Sequence, residues 1–96
     1  MLLTAQMSTE ATNEAIKSGS LRATMEAFMK NNQPEAAYFG TEDGRRTAFF
    51  VLDLKDSSEM PRIAEPLFME LGAKIQFRPV MNPEELARGL DAIERR

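Results

Sequence analysis

The sequence predicts an α+β fold built on a four-stranded antiparallel sheet, and three observations lead there. Strand-like runs and helical stripes follow one another as strand, helix, strand, strand, helix, strand, helix. An Asp43-Gly44 pair between two apolar runs marks a hairpin. Ninety-six residues suffice for one core and not for two, so the elements are expected in a single α+β domain over residues 1–96.

Residues 2–7 are short and mostly apolar and read as the first strand, and Ser8-Thr9-Glu10 behind them suits a helix cap. The helical pattern through Ala15 and Ile16 is out of phase with the later stripe Leu21, Met25, Phe28 and Met29. Between them lies Ser18-Gly19-Ser20, where a glycine stop and a new serine cap split the helix in two. Pro34 closes the helical region, because proline disfavours the α conformation of the residue before it.

Residues 36–39 and 46–54 form the hairpin arms, and the apolar continuity of 48–52 predicts a central strand covered on both faces. Asp56-Ser57-Ser58-Glu59 opens the next helix, with Met60, Ile63, Ala64, Leu67, Phe68 and Leu71 as its buried stripe. Pro61 fits the first turn and Pro66 is expected to bend the helix. Residues 73–81 alternate, with Ile75 and Phe77 on one side and Lys74, Gln76 and Arg78 on the other, and Pro79 suits a free edge. Asn82-Pro83-Glu84-Glu85 is a helix start with a capping box, and Leu86, Leu90 and Ile93 give that last helix an apolar side.

This order and length resemble the ferredoxin-like βαββαβ fold with a C-terminal helix. More narrowly they resemble the dimeric α/β-barrel superfamily of muconolactone isomerase-like proteins and cofactor-light monooxygenases of antibiotic biosynthesis. The stretches Pro34-Glu35-Ala36-Ala37-Tyr38-Phe39, Asp43-Gly44-Arg45-Arg46-Thr47-Ala48-Phe49 and Ala64-Glu65-Pro66-Leu67-Phe68 are also similar to small uncharacterised bacterial members of that shape, a likeness that carries no activity. The resemblance implies the strand order four-one-three-two with the helices on one face of the sheet.

On that order Leu3, Ala5, Met7, Phe39, Phe50, Leu52, Leu54, Ile75 and Phe77 lie under the helices and meet Met25, Phe28, Ile63, Leu67 and Phe68. The other face shows Thr4, Gln6, Tyr38, Phe49, Val51, Asp53, Gln76 and Arg78, a mixture too apolar for open water and too polar for a core. A partner sheet packed against it would resolve the conflict, so a homodimer through the sheet face, enclosing a small cavity, is expected. The alternative is that the last helix folds over this face and leaves a monomer.

Composition removes several classes of function. Twelve basic and fifteen acidic residues give a net charge of −3 without a basic stripe, which argues against nucleic acid. The 45–52 run also lacks the glycine and two of the aromatics of an RNA-recognition strand. The pairs Arg45-Arg46 and Arg95-Arg96 read as a solvated strand start and a helix terminus, and the seven methionines as core filling. Without cysteine or histidine there is no thiolate chemistry, catalytic triad or histidine-bound metal, and the five glycines form no phosphate-binding motif. No cofactor and no metal are expected. Neither a leader nor a membrane span is legible, so no membrane is expected and the location is taken as cytoplasmic.

What remains is a possible small-molecule ligand at Thr4, Gln6, Tyr38, Phe49, Val51, Asp53, Gln76 and Arg78. Tyr38 and Asp53 are the candidate proton-transfer groups and Arg78 the anion clamp. Asp53 and Arg78 are expected to flank the first strand near Thr4, two strand spacings or about 9.6 Å apart. The residues favour a dimeric protein binding a small, partly apolar or anionic molecule in a sheet-face cavity. The alternatives are a cofactor-independent isomerase or monooxygenase-like enzyme acting on aromatic or polyketide-like substrates, and a purely structural or interaction dimer.

Overall fold

The computed structural model describes residues 1–95. Its elements are β1 (Leu2–Gln6), α1 (Thr9–Ser18), α2 (Ser20–Asn32), β2 (Ala36–Glu42), β3 (Arg45–Val51), α3 (Met60–Leu71), β4 (Lys74–Arg78) and α4 (Pro83–Glu94), with one turn of 3-10 helix at Ser57–Glu59 leading into α3. Short-range chemistry sets most of the boundaries. The Ser8 hydroxyl accepts the Ala11 N–H to start α1, and Gly19, left-handed at φ 83°, stops it while donating to the Ile16 carbonyl. Asp43 and Gly44 both have positive φ, which gives the tight turn between β2 and β3 a twist that matches the strands. Asn82 and Glu85 cap the start of α4 reciprocally.

The sheet runs β2-β3-β1-β4 with every neighbouring pair antiparallel. Directly opposed residues share a face, so the pairs Leu3↔Phe50 and Leu3↔Phe77 carry one side across three strands, and Ala5↔Ala48 and Ala5↔Ile75 repeat it. This inner side is roofed by α1, α2 and α3, with Leu3, Phe28, Phe50, Ile63, Leu67 and Leu71 buried at its centre. The Phe28 ring lies 4.2 Å from that of Phe50, and Phe39 meets Phe50 edge-on at 5.8 Å.

Arg46 departs from its expected role at a solvated strand start. It points to the inner side, and its Nη1 donates to Thr12 Oγ1 at 2.6 Å and to Asn13 Oδ1 at 2.9 Å, pinning the first turns of α1 to β3. Phe68 also differs from expectation. The buried face of α3 is the narrow stripe Ile63, Ala64, Leu67 and Leu71, which leaves Phe68 on its margin and exposed.

The largest correction concerns closure. The sheet is open, with β2 and β4 as its two edges, and it does not curl into a barrel. The expected dimeric α/β barrel is therefore overturned, and membership of that superfamily with it. What holds is a four-stranded antiparallel sheet with helices packed against it.

The last helix neither roofs the sheet nor folds back over it. α4 has no buried residue, and the molecule measures 57 × 27 × 18 Å with a Cα radius of gyration of 15.8 Å. A compact chain of this length would come to about 12 Å. α4 therefore stands off the body as an arm. No helix among the described residues is long and apolar enough to cross a membrane.

Candidate functional site

Strand pairing assembles the side of the sheet away from the helices into rows. Tyr38↔Phe49, Phe49↔Thr4 and Thr4↔Gln76 are direct cross-strand neighbours, so these four residues form one line across all four strands. The adjacent line is Ala36, Val51, Leu2 and Arg78, and the line on the other side is Gly40, Thr47, Gln6 and Lys74. Alternation along β3 directs this, since burial of Phe50 under the helices turns Phe49 and Val51 outward. Phe49 and Val51 are half-buried, Tyr38 is 68% exposed on its edge strand, and Thr4 is only 4% exposed although no helix covers it. Its neighbours on β3 and β4 wall it in.

Seven of the residues expected to bind a ligand thus share one face: Thr4, Gln6, Tyr38, Phe49, Val51, Gln76 and Arg78. Asp53 does not join them within the ladder. It follows the end of β3, and its carboxylate lies 2.9 Å from Lys55 Nζ in solvent. The Lys55 ammonium, first by hydrogen bond and then by charge, holds the Asp53 carboxyl below its ordinary value of 3.8. Arg78 turns its guanidinium instead to Gln76 Oε1, 3.1 Å away. Asp53 and Arg78, expected to flank the first strand near Thr4, thus each have a separate partner, Lys55 and Gln76.

Leu2, Thr47 and Lys74 belong to this face, and of these only Lys74 was set beside Gln76 and Arg78 from the sequence, though not among the binding residues. Each stands two residues from a named position, so alternation alone would have found them.

The two ends of the face differ in charge. Around Thr4, Gln6, Lys74 and Gln76 is a depression of about 160 Å³ that also takes in Glu42 and Asp43, and Gln6 Nε2 donates there to the Glu42 carbonyl at 3.1 Å. At the other end Arg78 lies in line with Leu2 and Val51, so a cation adjoins apolar ground. Arginine has five N–H donors, and the contact with Gln76 leaves others for an incoming anion.

A larger cavity lies elsewhere, a groove of about 630 Å³ between α2 and α3 lined by Ala23, Ala27, Phe28, Arg62, Pro66 and Leu67 among others. Its guanidinium is already engaged, since Arg62 donates to Asn32 Oδ1 at 2.8 Å and to Glu59 Oε1 at 3.1 Å. Thr24, Asn31 and Glu70 also line the groove, but its one cation is taken up by Asn32 and Glu59. Among the described residues no group of three or more Asp or Glu side chains is placed to hold a metal ion.

No protein-family model, curated protein or solved structure matches the chain.

Proposed function

We propose that the outer face of the sheet binds a small, partly apolar anion, of which an aromatic carboxylate is the simplest representative, and pairs with a second copy of the chain. The observation behind this reading is the line Leu2, Val51, Arg78 lying beside Phe49 and Thr4, an apolar platform with a guanidinium at its margin. An aromatic ring would rest on Phe49, Val51 and Leu2, with its carboxylate taken by Arg78. The Lys74 end is the poorer seat because Glu42 and Asp43 repel an anion there. A cytoplasmic setting goes with this reading, since a chain without cysteine needs no oxidising compartment.

The rival reading, an isomerase or monooxygenase-like enzyme using Tyr38 or Asp53, has less behind it. An exposed carboxylate held ionised by Lys55 is a weak proton acceptor near neutral pH.

Thermal unfolding with benzoate as the probe tests the proposal. At ten times its Kd, benzoate is expected to stabilise the chain by about 1.4 kcal/mol, which raises Tm by roughly 5–10 °C for a domain of this size. Arg78→Ala should abolish the shift and Lys74→Ala should leave it. A Tm insensitive to benzoate, with unmoved amide resonances at Thr4 and Val51, would remove the proposal.

A further inference from the structure

α4 and the outer face of the sheet are each incomplete in one chain, and each has what the other lacks. Leu86 (46% exposed), Leu90 (45%) and Ile93 (64%) line one side of the helix and find no cover in their own chain. A helix of 12 residues is marginal in water without an apolar surface to rest on. The outer face is such a surface, with Leu2, Phe49 and Val51 half-buried at its middle.

Dimensions and charge agree. Twelve helical residues span about 18 Å, and four strands span about 14 Å between the axes of the edge strands. The strand positions of the outer face carry Arg45, Lys74 and Arg78 against Glu42, a positive balance in a chain of net charge −3. Over residues 83–95 the helix segment carries Glu84, Glu85, Asp91 and Glu94 against Arg88 and Arg95, a negative one.

The helix is poorly placed to cover its own sheet. Pro79 holds Arg78 extended and Pro83 does the same for Asn82, whose ψ is 171° and whose side chain is committed to the capping box. Only Val80 and Met81 remain to turn the chain back, and the arm points away from the body.

We infer that α4 of one copy lies across the outer sheet face of a second copy, reciprocally, so that each binding face is completed by the partner's helix. The exchange is isologous, with the same helix and the same face used on both sides. It differs from the overturned barrel, because a helix and not a second sheet covers the strands. The inference deepens the binding reading above and rests on it for the role of the face, but not for the exchange itself.

The test is the mass of the full chain by light scattering at tens of micromolar, together with a contact measurement between chains. The wild type is expected at twice 10.8 kDa. Leu90→Glu should return it to the single-chain mass and lose no more helical signal than the 12 residues of α4 supply, while Ile16→Glu, on an exposed position of α1, should leave it doubled. Because the chain has no cysteine, Arg88→Cys gives a unique site for a nitroxide on the side of α4 opposite Leu86 and Leu90. Mixed with isotope-labelled wild type, the tagged chain should broaden the amides of Thr4, Phe49 and Val51 more than those of α3.

A single-chain mass for the wild type, a doubled mass that Leu90→Glu does not change, or broadening centred on the helical side would each overturn the inference. Benzoate separates it from the binding reading. Stabilisation by benzoate in a chain of single mass sinks the exchange and spares the site, and a doubled mass without a benzoate response does the reverse.

Discussion

The two faces of one sheet are built from the same short strands and have opposite characters. On the inner side Leu3, Ala48 and Phe50 are fully buried under three helices, whereas on the outer side their sequence neighbours Thr4, Phe49 and Val51 lie under nothing. One peptide unit separates a core residue from a surface one. The inner face acts as structural ground, and the outer face carries none of the three roofing helices, because strand alternation decouples the two.

Substitutions at adjacent positions can break that contrast. Phe50→Ala empties the centre of the core, where the ring is stacked on Phe28, and should cost about 3–5 kcal/mol in urea unfolding. Phe49→Ala, measured where the mass is that of one chain, should cost about 1 kcal/mol or less. Equal losses at the two positions would mean that the outer face is as much a core as the inner one.

A second adjacent pair gives a smaller effect. Arg46→Ala removes the hydrogen bonds to Thr12 and Asn13 and should cost about 1–3 kcal/mol, while Arg45→Ala, exposed on the outer face, should change stability by under about 0.5 kcal/mol. If the two variants unfold together, Arg46 does not fasten α1 to the sheet.

The smallest effect belongs to Asp53. Its folded pKa lies below 3.8, so the ion pair with Lys55 favours the folded chain above pH 3.8, and the contribution disappears as the pH falls through the folded value. Carboxyl NMR should place the Asp53 midpoint below 3.8, and Lys55→Gln should raise it to about the ordinary value. An unchanged midpoint in Lys55→Gln would mean that the pair does not persist in solution.

Much of the sheet was legible because its determinants are local. Ser18-Gly19-Ser20 announces the break between α1 and α2, Asp43-Gly44 the hairpin, and the Asn82 to Glu85 spacing the start of α4. The period of two put Phe49 and Phe50 on their observed faces. The features that escaped depend on distant or absent surfaces. The link from Arg46 to Thr12 spans 34 residues with no local signature, and the exposure of Phe68 depends on how wide a stripe of α3 the sheet can cover. The barrel came from a resemblance in element order and length, and the dimer from a surface in want of a cover, and neither specifies whether the sheet closes. At the site, alternation collected Thr4, Gln6, Gln76 and Arg78 correctly onto one face, whereas Asp53 was carried along with a strand that ends before it.

The outstretched arm has a consequence for small-angle scattering. One chain already has a Cα radius of gyration of 15.8 Å, and a compact body of twice the length would have about 16 Å. If two copies tuck their arms onto each other, dilution to single chains halves the forward intensity per unit protein mass while the Guinier slope stays almost constant. That constancy of size against changing mass is the solution fingerprint of the folded-in arm.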